Sequence, residues 1–221
     1  MLLPLFERIR PFALLLLLII AVQQLGASAL IYAKAALAPI LMERAWHASL
    51  ANGGQAHKPW PWADTWPVAR LHVPELGIDQ FVLAGASGNV LAFGPGLDEA
   101  GAIPGDEGTV VIGGHRDTHF RFLQQLQPAM LMRLDLPDGR SLNYRVDYTQ
   151  VLDTRQPVLA PALTGPSKLE LVTCYPFNAM RAGGPLRYIV YARPQSPLKS
   201  QQQLAGASFY GFQPAYREMQ L

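Results

Sequence analysis

Cysteine is nearly absent from this sequence, because Cys174 is the only one among 221 residues. An intramolecular disulfide is therefore impossible, and a cysteine-rich zinc site is excluded. An excess of one charge sign is also lacking, since 18 Lys and Arg against 16 Asp and Glu give a net charge of +2. That excess is too small for the basic surface of a nucleic-acid binder, so nucleic acid is not expected as a partner. With 50% hydrophobic and 15% charged residues, the composition also excludes a chain that is disordered throughout.

Long helices are not expected in the main part of the chain, because 19 glycines and 19 prolines interrupt it with turns. Beyond Pro67, short apolar or alternating runs are bounded by such turns, which is typical of β-strands. The predicted strands are 68–73, 76–83, 109–112, 130–136, 142–152, 168–173 and 186–193. Brief helices are expected around residues 89–93 and 119–126. About seven strands with little helix indicate a β-sandwich or a closed barrel.

The apolar excess is concentrated near the N-terminus, where residues 11–33 carry no charge. A run of this length is sufficient to span a bilayer. The alternative is a cleavable signal peptide, which the triplet Ala27-Ser28-Ala29 would suit. We favour an uncleaved single-pass anchor, because the apolar run continues past that triplet. The expected location is the cytoplasmic membrane, with the rest of the chain outside the cytoplasm.

The anchor sets the expected domain boundaries. They are 1–34 for the anchor, 35–66 for a juxtamembrane helix and a Trp/Pro-rich linker, 67–194 for the main domain and 195–221 for a tail. The linker contains Trp60, Trp62 and Trp66, which we expect to pack on the domain or lie at the lipid surface. A tryptophan-lined ligand groove is the alternative, and it would make the protein a non-catalytic, membrane-tethered domain that binds peptide or glycan.

Cys174 is the first candidate for chemistry, because it ends the apolar strand LELVTC and opens a loop. A side chain at such a point is held rigidly and is accessible. A cysteine nucleophile needs a base or cation nearby to keep it as the thiolate. His115 is the best partner among the five histidines, because it also follows a buried-looking strand, VVIGG. A buried structural cysteine and a structural loop histidine are the alternatives.

Two further residues bear on this site. Arg187 opens the strand LRYIVYAR and could hold an oxyanion beside the thiol if the two strands are neighbours. Arg116, Arg121 and Arg181 are alternatives in less rigid settings. His115 and His119 have a spacing that could bind a metal on a helix, but no third ligand is evident. We therefore expect no metal, and we expect His119 to be either a residue of the first turn of a helix or a neighbour of the site.

Three segments together resemble the sortase family. VVIGGHRDTHF resembles its histidine segment, LELVTCYPF its cysteine segment and PLRYIVYAR its arginine strand, in the same order. Residues 67–96 resemble the opening strands of the same domain, so the resemblance covers residues 67–194. Val172 is a conservative departure from the best-known cysteine segment. The anchor, the tryptophan linker and the Tyr-Pro-Phe continuation look most like the Gram-negative, proteobacterial branch.

The resemblance implies a mostly β fold, an eight-stranded sortase-type barrel with short helices, preceded here by the transmembrane helix. It also implies a cysteine transpeptidase that cleaves an LPXTG-like sorting signal through a thioacyl-enzyme intermediate. Carried onto this chain, Cys174 is the nucleophile, His115 the proton donor to the leaving amine, and Arg187 the group that holds substrate or oxyanion. No metal or organic cofactor is implied.

The expected partners are substrate proteins with a C-terminal sorting signal and an amine acceptor, either a component of the cell envelope or water. We expect the connection 154–167 to form the wall of the substrate groove, with Leu159, Ala160 and Leu163 as apolar contacts. Thr173 could contribute to the same pocket or pack as an ordinary strand residue. A transpeptidase that cross-links cell-wall peptides is a third interpretation, but the Ser-x-Gly-Cys typical of that class is not present around Cys174.

Overall fold

Short strands separated by turns make up most of the computed structural model, which describes residues 3–157, 160–179 and 183–195. The strands are β1 (Pro67–Val73), β2 (Ile78–Ala84), β3 (Gly96–Leu97), β4 (Thr109–Gly113), β5 (Leu131–Asp135), β6 (Ser141–Asp153), β7 (Lys168–Cys174) and β8 (Leu186–Pro194). Within the described ranges they close into one barrel in the order β1-β2-β3-β4-β7-β8-β6-β5. The expected eight-stranded barrel is confirmed.

The barrel interior is built from the alternation of side chains along the strands, since successive residues of a strand point to opposite faces. On β7, Leu169, Leu171 and Thr173 are buried, whereas Glu170 and Cys174 are partly exposed. The outer face of β7 therefore carries its charged and reactive side chains. The largest fully buried residues elsewhere in the core include Leu71, Ile112, Phe120, Met132, Leu134 and Tyr144.

The arrangement of β4, β7 and β8 positions the candidate site. β4 runs parallel to β7, with Gly113 paired to Val172. On its other side β7 pairs with antiparallel β8, and Cys174 lies opposite Arg187. A parallel pair needs a long crossover connection between its strands, and here β5, β6 and the loops around them form that connection.

The predicted strands and the observed ones differ mainly in one short element. β3 has only two residues, Gly96 and Leu97, and such a segment has no periodicity to detect. The two expected helices are present as α2 (Gly88–Leu91) and a 3₁₀ turn over Arg121–Gln125.

The N-terminal part is one helix, α1 (Leu3–Ala51), rather than an anchor followed by a separate short helix. Its last turns dock on the barrel: Met42 and Trp46 are each 4% exposed, and the Trp46 ring lies 5.8 Å from the ring of Phe81. Arg70 on β1 also contacts Glu43, with 3.2 Å between Nη1 and Oε1. α1 is therefore fixed to β1 and β2.

The expected transmembrane helix was not found, because no helix among the described residues has an apolar stretch long enough to cross a membrane.

The tryptophan linker packs in part on the domain. The Trp60 ring meets the ring of Phe93 edge to face, with 5.4 Å between centroids. Trp62 projects outward and is 83% exposed. The packing predicted for the linker therefore holds for Trp60.

Candidate active site

The ends of β4 and β7 bring His115 and Cys174 to one edge of the barrel. Because the two strands are parallel and Gly113 pairs with Val172, residues that follow them leave the sheet at the same end. Cys174 is the last residue of β7, and His115 comes two residues after β4. The structure thus brings together two residues that are distant in the sequence.

Gly114 fixes the segment before His115 against the strand of Cys174. Its N–H donates to the Val172 carbonyl at 3.1 Å, and its carbonyl accepts a 2.7 Å bond from the Thr173 hydroxyl. A side chain at this position is excluded, since a Cβ atom would lie 2.7 Å from the Phe120 ring. Glycine is therefore required here by the close approach of that ring.

Cys174 and His115 are both accessible. Cys174 is half-buried on the outer face of β7 and is the only cysteine in the sequence. His115 is exposed. A buried, inert thiol does not fit this position.

Arg187 lies directly opposite Cys174 in the antiparallel pair of β7 and β8. Such opposed residues point to the same face of a sheet, with Cβ atoms about 4.5–5.5 Å apart. Its Nη1 donates to the carbonyls of Gly184 at 2.6 Å and Leu186 at 3.0 Å. These bonds hold the guanidinium against the backbone just before and at the start of β8.

Arg116 ties the His115 segment to the loop that follows Cys174. Its side chain is 4% exposed, and its two terminal nitrogens donate to the carbonyls of Pro176 and Ala179, both at 2.8 Å. From the sequence alone, Arg116 is only an alternative to Arg187. Its position directly after His115 was visible in the sequence, but its burial was not.

Thr173 has a structural contact. It is 2% exposed and points into the barrel, where its hydroxyl binds the Gly114 carbonyl. Thr173 therefore supports the barrel edge that carries Cys174 and His115. The expected contact of Thr173 with substrate stays a prediction.

The connection between β6 and β7 lines a cavity of about 520 Å³ on the outer face of β6, β7 and β8. Ala160 lines this cavity. Leu163 is 62% exposed and does not line it, and Leu159 lies outside the described residues. This cavity and the edge around Cys174 together form the candidate groove.

His119 lies in a second cavity, between α1 and β2, which Met42 and Phe81 also line. Burial lowers the pKa of His119, and the nearby charge of His115 lowers it further, against a weaker opposing effect of the Ala92 carbonyl. Within the described residues, His115 and His119 do not belong to any group of three potential metal ligands.

Comparison with known proteins identifies the family. A family model described as the sortase domain matches residues 71–195. The chain belongs to the sortase family. Sortase D of Bacillus subtilis (strain 168) is 29% identical to this sortase over 123 residues, which are 56% of this chain and 61% of that protein. The match thus spans less than two thirds of the relative's length.

Solved sortases share the barrel. A Clostridium perfringens sortase D5 transpeptidase matches with a TM-score of 0.52 and 23% identity over 59% of this chain and 80% of its own. Sortase A from Corynebacterium diphtheriae matches with a TM-score of 0.54 and 19% identity over 76% of this chain and 88% of its own. The structure of Clostridium perfringens sortase C was determined with the C-terminal cell wall sorting motif. It matches with a TM-score of 0.51 and 15% identity over 74% of this chain and 90% of its own. These likenesses concern the fold.

Proposed function

We propose that this sortase is a cysteine transpeptidase that cleaves an LPXTG-like signal near the C-terminus of its substrate proteins and transfers the acyl group to an amine. The observation that carries the proposal is the barrel edge where Cys174 lies opposite Arg187 and beside the end of β4 that leads to His115. Clostridium perfringens sortase C with its C-terminal cell wall sorting motif supports the substrate class.

In the first half-reaction, the Cys174 thiolate attacks the carbonyl carbon before the scissile peptide bond. The negative charge that develops on the carbonyl oxygen is stabilised by the guanidinium of Arg187. The C–N bond then breaks, and protonated His115 gives its proton to the leaving amine. The product is a thioester between Cys174 and the substrate protein.

In the second half-reaction, an acceptor amine attacks the thioester and gives a proton to neutral His115. The tetrahedral intermediate collapses, a new amide bond forms and the thiolate leaves. Water in place of the amine gives hydrolysis. Each step moves only protons and an acyl group between groups of the protein and its substrates.

The proposed substrate groove runs along the outer face below Cys174, with the connection 154–167 as its wall. Ala160 supports this placement because it lines the cavity there. Contacts of Leu159, Leu163 and Thr173 with the signal belong to the same proposal.

The replacement Cys174→Ala tests the mechanism. It should abolish both cleavage of a fluorogenic sorting-signal peptide and transfer to an added amine, because no other thiol can form the thioester. Circular dichroism should show an unchanged fold. Mass spectrometry of the wild type should show one acyl adduct, and iodoacetamide should add one label to the wild type and none to the variant. Turnover by Cys174→Ala at the wild-type rate would contradict the mechanism.

We further propose that residues 11–33 hold the enzyme at the cytoplasmic membrane with residues 67–194 outside the cytoplasm, as in the proteobacterial branch. The support is the exposed aliphatic surface of α1, where Leu14 to Ile20 are 44–62% exposed. An anchor near emerging substrates raises their effective concentration. The full-length protein should stay with membranes through alkaline extraction. A mature N-terminus at Leu30 would instead show a cleaved, secreted enzyme.

A further inference from the structure

The proposed mechanism, on which this inference rests, fixes the direction in which the substrate lies. β7 is flanked by β4, which leads to His115, and by β8, which carries Arg187. Because His115 serves the leaving amine, the chain that leaves lies on the β4 side. The acyl part, which precedes the scissile bond, then lies toward β8 and β6.

The cavity of about 520 Å³ occupies that side. Three cross-strand rows of the outer face lead from Cys174 into it, and the cavity is lined by Leu152 of the first row, Ile189 of the second and all three residues of the third. The top row is Cys174, Arg187 and Leu152, the next is Val172, Ile189 and Gln150, and the third is Glu170, Tyr191 and Tyr148. The third row lies four residues from Cys174 along β7, or about 13 Å at about 3.3 Å per residue. With the first residue before the scissile bond at Cys174, an extended peptide reaches this row with its fifth residue before that bond.

Glu170 is a half-buried carboxylate that makes no hydrogen bond or ion pair with another described residue and that the proposed mechanism does not use. Burial raises the pKa of its carboxyl group, while Lys168 lowers it to a smaller extent. The other carboxylates that line the cavity are already paired. Asp147 Oδ1 lies 3.1 Å from Arg193 Nε, and Asp153 binds Arg155.

Two tyrosines complete this row. The rings of Tyr148 and Tyr191 are stacked, with 4.6 Å between centroids and 22° between planes. The charge of Glu170 acts on Tyr191, whose pKa is raised first by burial and then by that charge. Tyr148 is 53% exposed and so presents its ring to the cavity. A carboxylate beside an aromatic face is the combination that attracts a cation.

We propose that Glu170, with Tyr148 and Tyr191, forms a subsite for a lysine or arginine side chain at the fifth residue before the scissile bond, directly preceding the LPXTG-like motif. The nearest competing cation, Lys168, is on the same face of β7 two residues further from Cys174 and is exposed. It does not form an ion pair with Glu170.

Fluorogenic sorting-signal peptides that carry Lys, Ala or Glu at the fifth position before the scissile bond, with the LPXTG-like motif unchanged, test the proposal. The wild type should cleave the Lys peptide about tenfold faster in kcat/KM than the Ala peptide, which corresponds to about 1.4 kcal/mol. Glu170→Gln should remove this preference, and Glu170→Lys should reverse it in favour of the Glu peptide.

Asp153→Asn is the matched control, because it removes a carboxylate of the same cavity that already has an arginine partner. It should leave the Lys preference intact. Equal cleavage of the Lys and Ala peptides by the wild type would overturn this proposal while leaving the proposed function in place. Loss of the preference in Asp153→Asn but not in Glu170→Gln would also overturn it. Failure to form a Cys174 adduct with any peptide would instead contradict the proposed function.

Discussion

Arg187 is fixed by one terminal nitrogen of its guanidinium, and its other N–H groups make no hydrogen bond with a described residue. One terminal nitrogen is held by two carbonyls of its own loop, so the remaining N–H groups can be directed toward an oxygen at Cys174. A lysine has a single charged centre and cannot hold the loop and the oxyanion with the same geometry. The planar guanidinium, and not only its charge, is therefore expected to be needed.

Replacing Arg187 by alanine should lower kcat by about 100- to 1000-fold, as is typical for loss of an oxyanion donor, with a modest change in KM. Arg187→Lys should also be impaired. Arg193→Ala is a suitable control, because Arg193 lies on the outer face of the same strand but pairs with Asp147. Arg181→Ala should be mild. A severe Arg181→Ala and a normal Arg187→Ala in steady-state kinetics would show that the wrong arginine has been assigned.

The lowered pKa of His119 predicts how the free energy of unfolding changes with pH. Its pKa in the folded protein is lowered from the usual 6.5, first by burial and then by the His115 charge. The unfolded chain therefore binds more protons just below pH 6.5, and the free energy of unfolding should decrease as pH falls through that region and level off below the lowered pKa. Urea denaturation between pH 7.5 and 5 should show a flatter decrease for His119→Gln. An unchanged slope in His119→Gln, with His57→Gln as the reference variant, would contradict this role.

At the level of elements, the candidate active site lies on the two loops that follow the neighbouring parallel strands β4 and β7. Arg116 joins them, because it follows His115 in one loop and binds the carbonyls of Pro176 and Ala179 in the other. Hydrogen bonds to a charged donor contribute about 1.5–3 kcal/mol each. Arg116 therefore helps the bonds at Gly114 to hold the two loops in their relative position.

Arg116→Met should destabilise the protein by a few kcal/mol, about the amount of one or two such bonds, and should lower kcat more than it raises KM. Arg116→Lys should recover part of both losses, since an ammonium can reach only one of the carbonyls well. The rate at which iodoacetamide alkylates Cys174 gives a second measure of how the edge is arranged. If both variants lose stability but keep the wild-type kcat and alkylation rate, Arg116 supports the fold alone.

The strands could be predicted from the sequence to within a few residues, because alternation and turn residues act locally. β7 and β8 were predicted at 168–173 and 186–193, close to their observed bounds. The row of Glu170, Tyr191 and Tyr148 could not be predicted, since it depends on the registers of three strands. The burial of Arg116 depends on the path of a loop 60 positions away. Local patterns thus reveal strands and candidate residues, whereas the barrel decides which of them meet.

At the level of the whole molecule, the last turns of α1 act as part of the barrel domain. Met42 forms a small buried cluster with Leu83 and Val90, against which Trp60 and Phe81 pack. Glu43 joins the Arg70–Asp79 pair on β1 and β2. The segment before β1 thus covers apolar surface that the strands alone would expose.

A chain that begins at Ala35 should therefore be more stable than one that begins at Pro67. Each buried side chain that is lost costs about 1.5–3 kcal/mol, so removal of Met42 and Trp46 should lower Tm by several degrees. Thermal denaturation of both chains, each ending at Gln195, measures the difference. The Tm of the longer chain with Trp46→Ala should lie between the Tm values of the two chains. Equal Tm values for both chains would contradict the docking of α1.

The bonds at Gly114 also have a consequence for folding kinetics. They connect β4 to residues of β7, and the hydroxyl bond spans 59 positions in the sequence. Such non-local parallel pairing forms slowly, because the intervening loop must first close. While the chain is still folding, Cys174 is therefore not yet beside His115. A fragment that ends before β7 contains His115 but lacks Cys174. Recovery of peptide cleavage after dilution from denaturant should follow the slowest phase of barrel formation, so the reactive pair arises only in the completed enzyme.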